Sequence, residues 1–270
     1  MDQQDPNVLE QEPHFVEIGQ GSIEDGTRRR IAYRFDEGAS DTSPAIVWLS
    51  GFLSDMSSTK VGFLSNWAAG EGYAMLRFDY SGHGRSGGNI QKASVGDWLE
   101  EAGAMLNFIG QRPFVLVGSS LGGWIALLLA RALARTGGAQ LKGLVLIAPA
   151  WDMTEKLMWE KMSEKTRAIV ETEGVYLAPS NYDDSYPITK ILIEEGRNHL
   201  VAEGDIPGAA PVRILQGMRD KDVPWEHARA LVDLLATDDV ELTLTKTGDH
   251  RLSSPEDLAR LARTIDALIA

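Results

Sequence analysis

The run Phe114-Val115-Leu116-Val117-Gly118-Ser119-Ser120-Leu121-Gly122-Gly123-Trp124, continued by IALLLARAL to residue 133, decides how the rest of the chain is read. Its first four residues are an unbroken apolar run, as expected of a β-strand buried on both faces. From Leu121 the apolar residues take helical spacing, and Gly122, Gly123 and Arg131 leave the stretch too short and too interrupted to cross a bilayer. Between strand and helix stands Gly118-Ser119-Ser120-Leu121-Gly122, a match to G-x-S-x-G. In that setting the pattern puts a serine hydroxyl on a sharp turn at the end of a strand, against a helix N-terminus whose amides favour negative charge. A second match, Gly84-Arg85-Ser86-Gly87-Gly88, follows a glycine-rich loop and has no helical pattern until about residue 95, so Ser86 reads as a loop residue. The overlapping Gly82-His83-Gly84-Arg85-Ser86-Gly87 fits G-x-G-x-x-G, but no helix opens at its end to hold a dinucleotide pyrophosphate.

Outward from this centre, strand-like and helix-like runs alternate. Upstream lie a hairpin over 15–18 and 29–34 with a turn at Glu24-Asp25-Gly26, a strand at 45–49, a helix at 59–69, a strand at 73–78 and a helix at 95–109. Downstream lie strands at 141–147, 212–216 and 240–245, with helices at 225–235 and 255–269. This rhythm predicts an α/β fold: a mostly parallel eight-stranded sheet with an antiparallel N-terminal edge and helices on both faces. Residues 151–206 break it. Through Asp205 they carry twelve acidic residues against six basic ones, with Trp151, Met153, Leu157, Met158, Trp159 and Met162 forming one apolar face. They read as a small helical cap inserted in a core of residues 13–150 and 207–270, over the strand ends where such sheets bind ligands. Trp151, Met158 and Trp159 are the expected lining of a substrate pocket. Residues 1–12 read as an acidic tail.

The composition narrows the chemistry. The chain has 270 residues, 43% hydrophobic and 24% charged, enough apolar material for a substantial core. It has no cysteine, which excludes disulfides, thiolate metal sites and cysteine nucleophiles. A net charge of −13 speaks against nucleic acid and anionic membranes as partners. The first twelve residues carry four acids and no base, unlike a secretory or mitochondrial targeting segment, and a cytoplasmic location is expected.

A serine hydroxyl needs a base to become a nucleophile, and the base needs an orienting acid. In sheets of this type the order along the chain is Ser, acid, His. Of the five histidines, His250 alone stands in a loop directly after a strand and before the last helix; His227 falls inside a helix and His199 in the inserted segment. The acid is sought at the end of the strand at 212–216, where Asp220 and Asp222 compete. Asp220 is nearer the strand end, whereas Asp222 has a structural reason to sit near the N-terminus of the helix opened by Pro224. Asp249, beside His250, reads as local loop chemistry. The oxyanion needs two backbone amides, expected from Leu121, after the nucleophile, and from Phe52 in the loop after the strand at 45–49.

With these residues in hand, the chain resembles the α/β-hydrolase superfamily over nearly all its length. Within it, the segments SGFLSDMSSTK (50–60), RFDYSGHGRSGG (77–88), VGSSLGGW (117–124), YLAPSNYDD (176–184), GMRDKDVPW (217–225) and GDHRL (248–252) resemble the mitochondrial acyl-protein thioesterases that also hydrolyse acyl glucuronides. The resemblance implies that Ser120, Asp220 and His250 hold the triad positions. It also implies cleavage of carboxylic esters or thioesters, S-acylated proteins among them, with no cofactor and no metal. Rival expectations are a monoacylglycerol lipase or general carboxylesterase with the same triad, and a catalytically silent scaffold that binds a small ligand.

Overall fold

The computed structural model describes residues 12–20, 28–137, 140–179, 185–206 and 210–269. Residues 1–11, the turn expected at Glu24-Asp25-Gly26 and positions 180–184 of the YLAPSNYDD piece lie outside them. The main sheet is built from β1 (His14–Gly19), β2 (Arg28–Asp36), β3 (Ala45–Leu49), β4 (Ala74–Phe78), β5 (Phe114–Ser119), β6 (Leu141–Ile147), β9 (Val212–Gly217) and β10 (Val240–Thr245). Their order across the sheet is β1-β2-β4-β3-β5-β6-β9-β10. β1 pairs with β2, and β2 with β4, antiparallel; every other pairing is parallel.

The apolar runs sit in the middle of this sheet because only there are both faces covered. Every residue of β3, β4 and β5 is buried. Alternate residues serve opposite cores. Val47, Leu49, Leu116 and Leu146 pack under α2 (Val95–Met105), α3 (Leu121–Arg135) and α6 (Trp225–Leu234); Ile46, Trp48, Val117 and Ile147 pack under α1 (Thr59–Glu71) and α7 (Pro255–Ile269). Helix α3 is buried along its first ten residues, which is why its sequence is apolar all round rather than striped. Helix α2 starts on a capping box, with the Ser94 side chain accepting from the Asp97 amide and Asp97 from the Ser94 amide. The apolar pattern expected to run helical through residue 109 tightens into a 3-10 turn, Leu106–Ile109, closed by Gly110 at φ 61°.

The chain between β6 and β9 holds more than helices. Helical turns at Met153–Met158 and Trp159–Lys161 lead into α4 (Glu164–Glu173) and α5 (Lys190–Gly196), with an antiparallel two-stranded sheet, β7 (Val175–Ala178) and β8 (Tyr186–Thr189), between them. The strands follow from Val175, Tyr176, Tyr186, Ile188 and Thr189, β-branched and aromatic residues that suit a pleated surface. Among the described residues no helix is long and apolar enough to cross a membrane.

Candidate active site

Ser120 stands between β5 and α3 with φ 54° and ψ −116°, a conformation that costs an L-residue energy and must be held by its surroundings. The holding is visible. The Ser120 amide donates to the Ile147 carbonyl at 2.8 Å, and its own carbonyl accepts from the Ala150 amide at 3.0 Å and the Gly123 amide at 2.9 Å. The flanking glycines are steric requirements. A Cβ on Gly118 would stand 2.2 Å from the Gly122 oxygen, and one on Gly122 would stand 1.9 Å from the Leu49 oxygen.

His250 lies in the loop between β10 and α7, and its Nδ1 donates to Asp220 Oδ2 at 2.8 Å. Asp220 is fully buried at its side chain, in the loop after β9. Its Oδ1 accepts from the amides of Asp222 (2.9 Å) and Val223 (2.8 Å), and Oδ2 also accepts from Gln216 Nε2 at 3.1 Å. Four donors therefore fix this carboxylate, and its demand for a proton on Nδ1 leaves Nε2 of the ring as the acceptor. Hydrogen bonding distinguishes the two aspartates: Asp220 meets the ring, whereas Asp222 contributes its amide to Asp220 and is itself exposed. Gln216 had no signal in the sequence beyond a polar residue closing an apolar strand; its Nε2 also donates to the Gly217 and Val223 carbonyls, locking the turn that carries Asp220.

Ser120 and His250 face one cavity of about 760 Å³, within the range of small-molecule sites. Among the described residues no hydrogen bond joins the Ser120 hydroxyl to the ring; such contacts often close only around a substrate. Gly51 and Phe52 line the same cavity, and a Cβ on Gly51 would stand 3.4 Å from the Ser120 Cβ, so the loop after β3 lies directly against the serine. Among the described residues neither the Phe52 nor the Leu121 amide donates to a backbone carbonyl. Both remain suited to receive an oxyanion.

Of the three side chains expected to line a substrate pocket, Met158 lines this cavity, joined by Met153, Leu157 and Tyr186. Trp151 and Trp159 do not, and that expectation is corrected. Trp151 is 2% exposed, stacks on His227 at 4.6 Å and donates its Nε1 proton to the His227 carbonyl. Trp159 is covered by the guanidinium groups of Arg167 and Arg197. Each indole is spent on packing and cation–π contact instead.

The decoys resolve as structure. Ser86 donates its hydroxyl proton to the Asp79 carbonyl and accepts from the Ala32 amide. The Gly82–Gly87 loop is closed by its own backbone bond, with the next helix starting at Val95. Asp249 accepts from the Arg251 and Leu252 amides. His227 donates its Nε2 proton to the Trp151 carbonyl at 2.8 Å, and burial pushes its pKa down to about 4. Among the described residues the one group with metal-ligand spacing is Asp220, Asp222 and His250, whose ligand atoms lie within 4.8 Å of one another. The oxygens of Asp220 are already taken by amides, Gln216 and His250, so the set reads as a hydrogen-bonded acid and base.

A parallel sheet with an antiparallel N-terminal edge, a strained serine on a strand-to-helix turn and a buried Asp–His pair after later strands define an α/β-hydrolase. The chain belongs to the hydrolase family described as serine aminopeptidase, S33, whose model matches residues 41–190. It is 36% identical over 231 residues to the mitochondrial palmitoyl-protein thioesterase ABHD10 of Bos taurus, covering 84% of this chain and 73% of that protein. The Homo sapiens protein of the same name is 35% identical over 229 residues, with the same coverage. Among solved structures, a putative hydrolase from Agrobacterium vitis S4 superposes with a TM-score of 0.90 at 41% identity, over 96% of this chain and 99% of that one. The mouse alpha/beta hydrolase domain-containing protein 10 superposes with a TM-score of 0.80 at 31% identity, over 95% and 98%.

Proposed function

We propose that the chain is a serine hydrolase that cleaves acyl thioesters and carboxylic esters, acyl glucuronides among them, through an acyl-serine intermediate. The single observation that carries this reading is the Asp220–His250 pair opening onto the cavity that Ser120 lines. Ser120 Oγ attacks the acyl carbonyl while His250 Nε2 takes its proton. The oxyanion is received by the amides of Phe52 and Leu121. His250, now positively charged and stabilised by Asp220, gives the proton to the departing alcohol or thiol. It then activates water, which releases the acid from the serine. Residues 151–206 act as a cap, with Met153, Leu157 and Met158 walling the acyl side of the cavity; methionine adapts to irregular apolar ligands. The thioesterase names of the curated relatives support the thioester, and S-acylated proteins are included as substrates on the same ground.

A fluorophosphonate probe is expected to label the protein, and Ser120→Ala to lose the label. Acyl thioesters are expected to be hydrolysed faster than monoacylglycerols of matched chain length. Absence of labelling would leave the ligand-binding scaffold as the better description, and faster monoacylglycerol cleavage would make the enzyme a lipase.

A further inference from the structure

The cavity beside Ser120 has a charge opposite to that of the molecule around it. The chain carries 39 acidic residues against 26 lysines and arginines. Yet the lysine, arginine and carboxylate side chains lining the cavity are Lys60, Lys221 and Arg251 against Asp222 alone. Lys60 is the least expected of them, a lysine 9% exposed in the first turn of α1. Its Nζ donates to the Arg251 carbonyl at 2.6 Å. Burial pushes its pKa down to about 8, which still leaves it a cation at neutral pH. Asp249 and Asp257 act on that charge from nearby, but neither lines the cavity, and among the described residues no salt bridge joins either to Lys60. An ammonium group has three protons to donate, and this one is largely removed from water with a neutral carbonyl as its hydrogen-bond partner. A desolvated charge so placed gains strongly from an anion brought within reach.

The position of this charge gives it a role. Arg251 directly follows His250, so the Lys60–Arg251 contact lies beside the group that would protonate the leaving group. The apolar wall of Met153, Leu157 and Met158 comes from a different part of the chain and suits the acyl group. We propose that Lys60, with Arg251 and Lys221, forms a subsite for a carboxylate on the alcohol or thiol part of the substrate. The subsite rests on the hydrolase reading and says which residues would meet a negatively charged leaving group. Its selectivity comes from charge: an acidic surface repels anions in general, and the cavity admits those whose negative end reaches the lysine.

Two butyrate esters of equal size test it, one releasing 3-hydroxybenzoate and the other its neutral counterpart 3-hydroxybenzamide. The wild-type protein is expected to favour the anionic ester in kcat/KM by about tenfold or more, the scale of one charge-assisted hydrogen bond. Lys60→Met should bring that ratio toward one, Lys60→Arg should keep part of it, and added salt should shrink it in the wild type. Arg251→Gln and Lys221→Gln, at exposed positions, should each lower the ratio and carry the test if Lys60→Met does not fold. A wild-type ratio at or below one, or a ratio unchanged in every folded variant, would overturn the subsite. So would fluorophosphonate labelling without cleavage of the anionic ester. Absence of labelling would instead overturn the hydrolase reading, and the subsite with it.

Discussion

Ser120, His250 and Asp220 are each held in place by specific neighbours. The serine backbone is strained and pinned to β6 by its own amide, the carboxylate is held by four donors, and among the described residues no hydrogen bond engages the other nitrogen of the ring. Ser120→Ala is expected to lower kcat on any cleaved ester by about 10⁴-fold or more, measured by steady-state hydrolysis, because no other hydroxyl takes its place. Asp220→Asn should lower kcat by roughly 10⁴-fold with little change in KM. An amide at that position can turn its N–H toward Nδ1, which then keeps its lone pair and leaves Nε2 protonated, the wrong tautomer for a base. The placement of these three residues was legible in the chain, since Ser120 directly follows a strand and Asp220 and His250 stand in the loops after later strands. Gln216 and Lys60 were not. A buried amide and a buried lysine look like surface residues until the packing around them is known.

At the scale of elements, the turn between β5 and α3 works only because two glycines let backbones approach. Gly118→Ala would force its new methyl group against the Gly122 carbonyl. The expected result is a loss of about 2–3 kcal/mol of stability or more, read by urea unfolding, together with loss of fluorophosphonate labelling. The contact between α6 and the start of the inserted segment carries a pH dependence. His227 and Trp151 donate to each other's backbone carbonyls, and burial lowers the His227 pKa from 6.5 to about 4. Its folded value lies below its unfolded value, so the unfolded chain takes the proton first, and the contribution to stability is lost as pH falls from about 6.5 through about 4. His227→Gln removes that titration. Between about pH 7.5 and about pH 4 its stability relative to wild type should therefore rise by on the order of 3 kcal/mol, measured by denaturant unfolding of both proteins at each pH. Groups such as Asp152, whose carboxyl burial raises to about 6, titrate in both proteins and drop out of the difference.

At the scale of the whole molecule, the cavity exists because distant stretches of chain meet over the carboxyl ends of the strands. Residues 51–60, 119–120, 150–158, 221–223 and 250–253 all contribute to its wall. Met158→Trp should fill the side supplied by the inserted segment. The kcat/KM for the longest acyl thioester the wild type accepts should fall by about tenfold or more relative to an acetyl thioester, measured across a chain-length series. An unchanged chain-length profile would remove Met158 from the acyl wall. The tryptophans show why this wall was hard to read in advance. Trp151, Met158 and Trp159 share one apolar pattern, but the fold aims one at the cavity, one at His227 and one under two arginines.

The chain by itself determined the sheet, its antiparallel edge and the serine turn, because each rests on local periodicity or on a few neighbouring residues. Only the tertiary structure decided which carboxylate reaches the ring, which side chains line the cavity and which cation is buried beside it. Those outcomes depend on contacts between residues tens to nearly two hundred positions apart, and a side chain's direction there is set by what packs against it rather than by its neighbours in sequence.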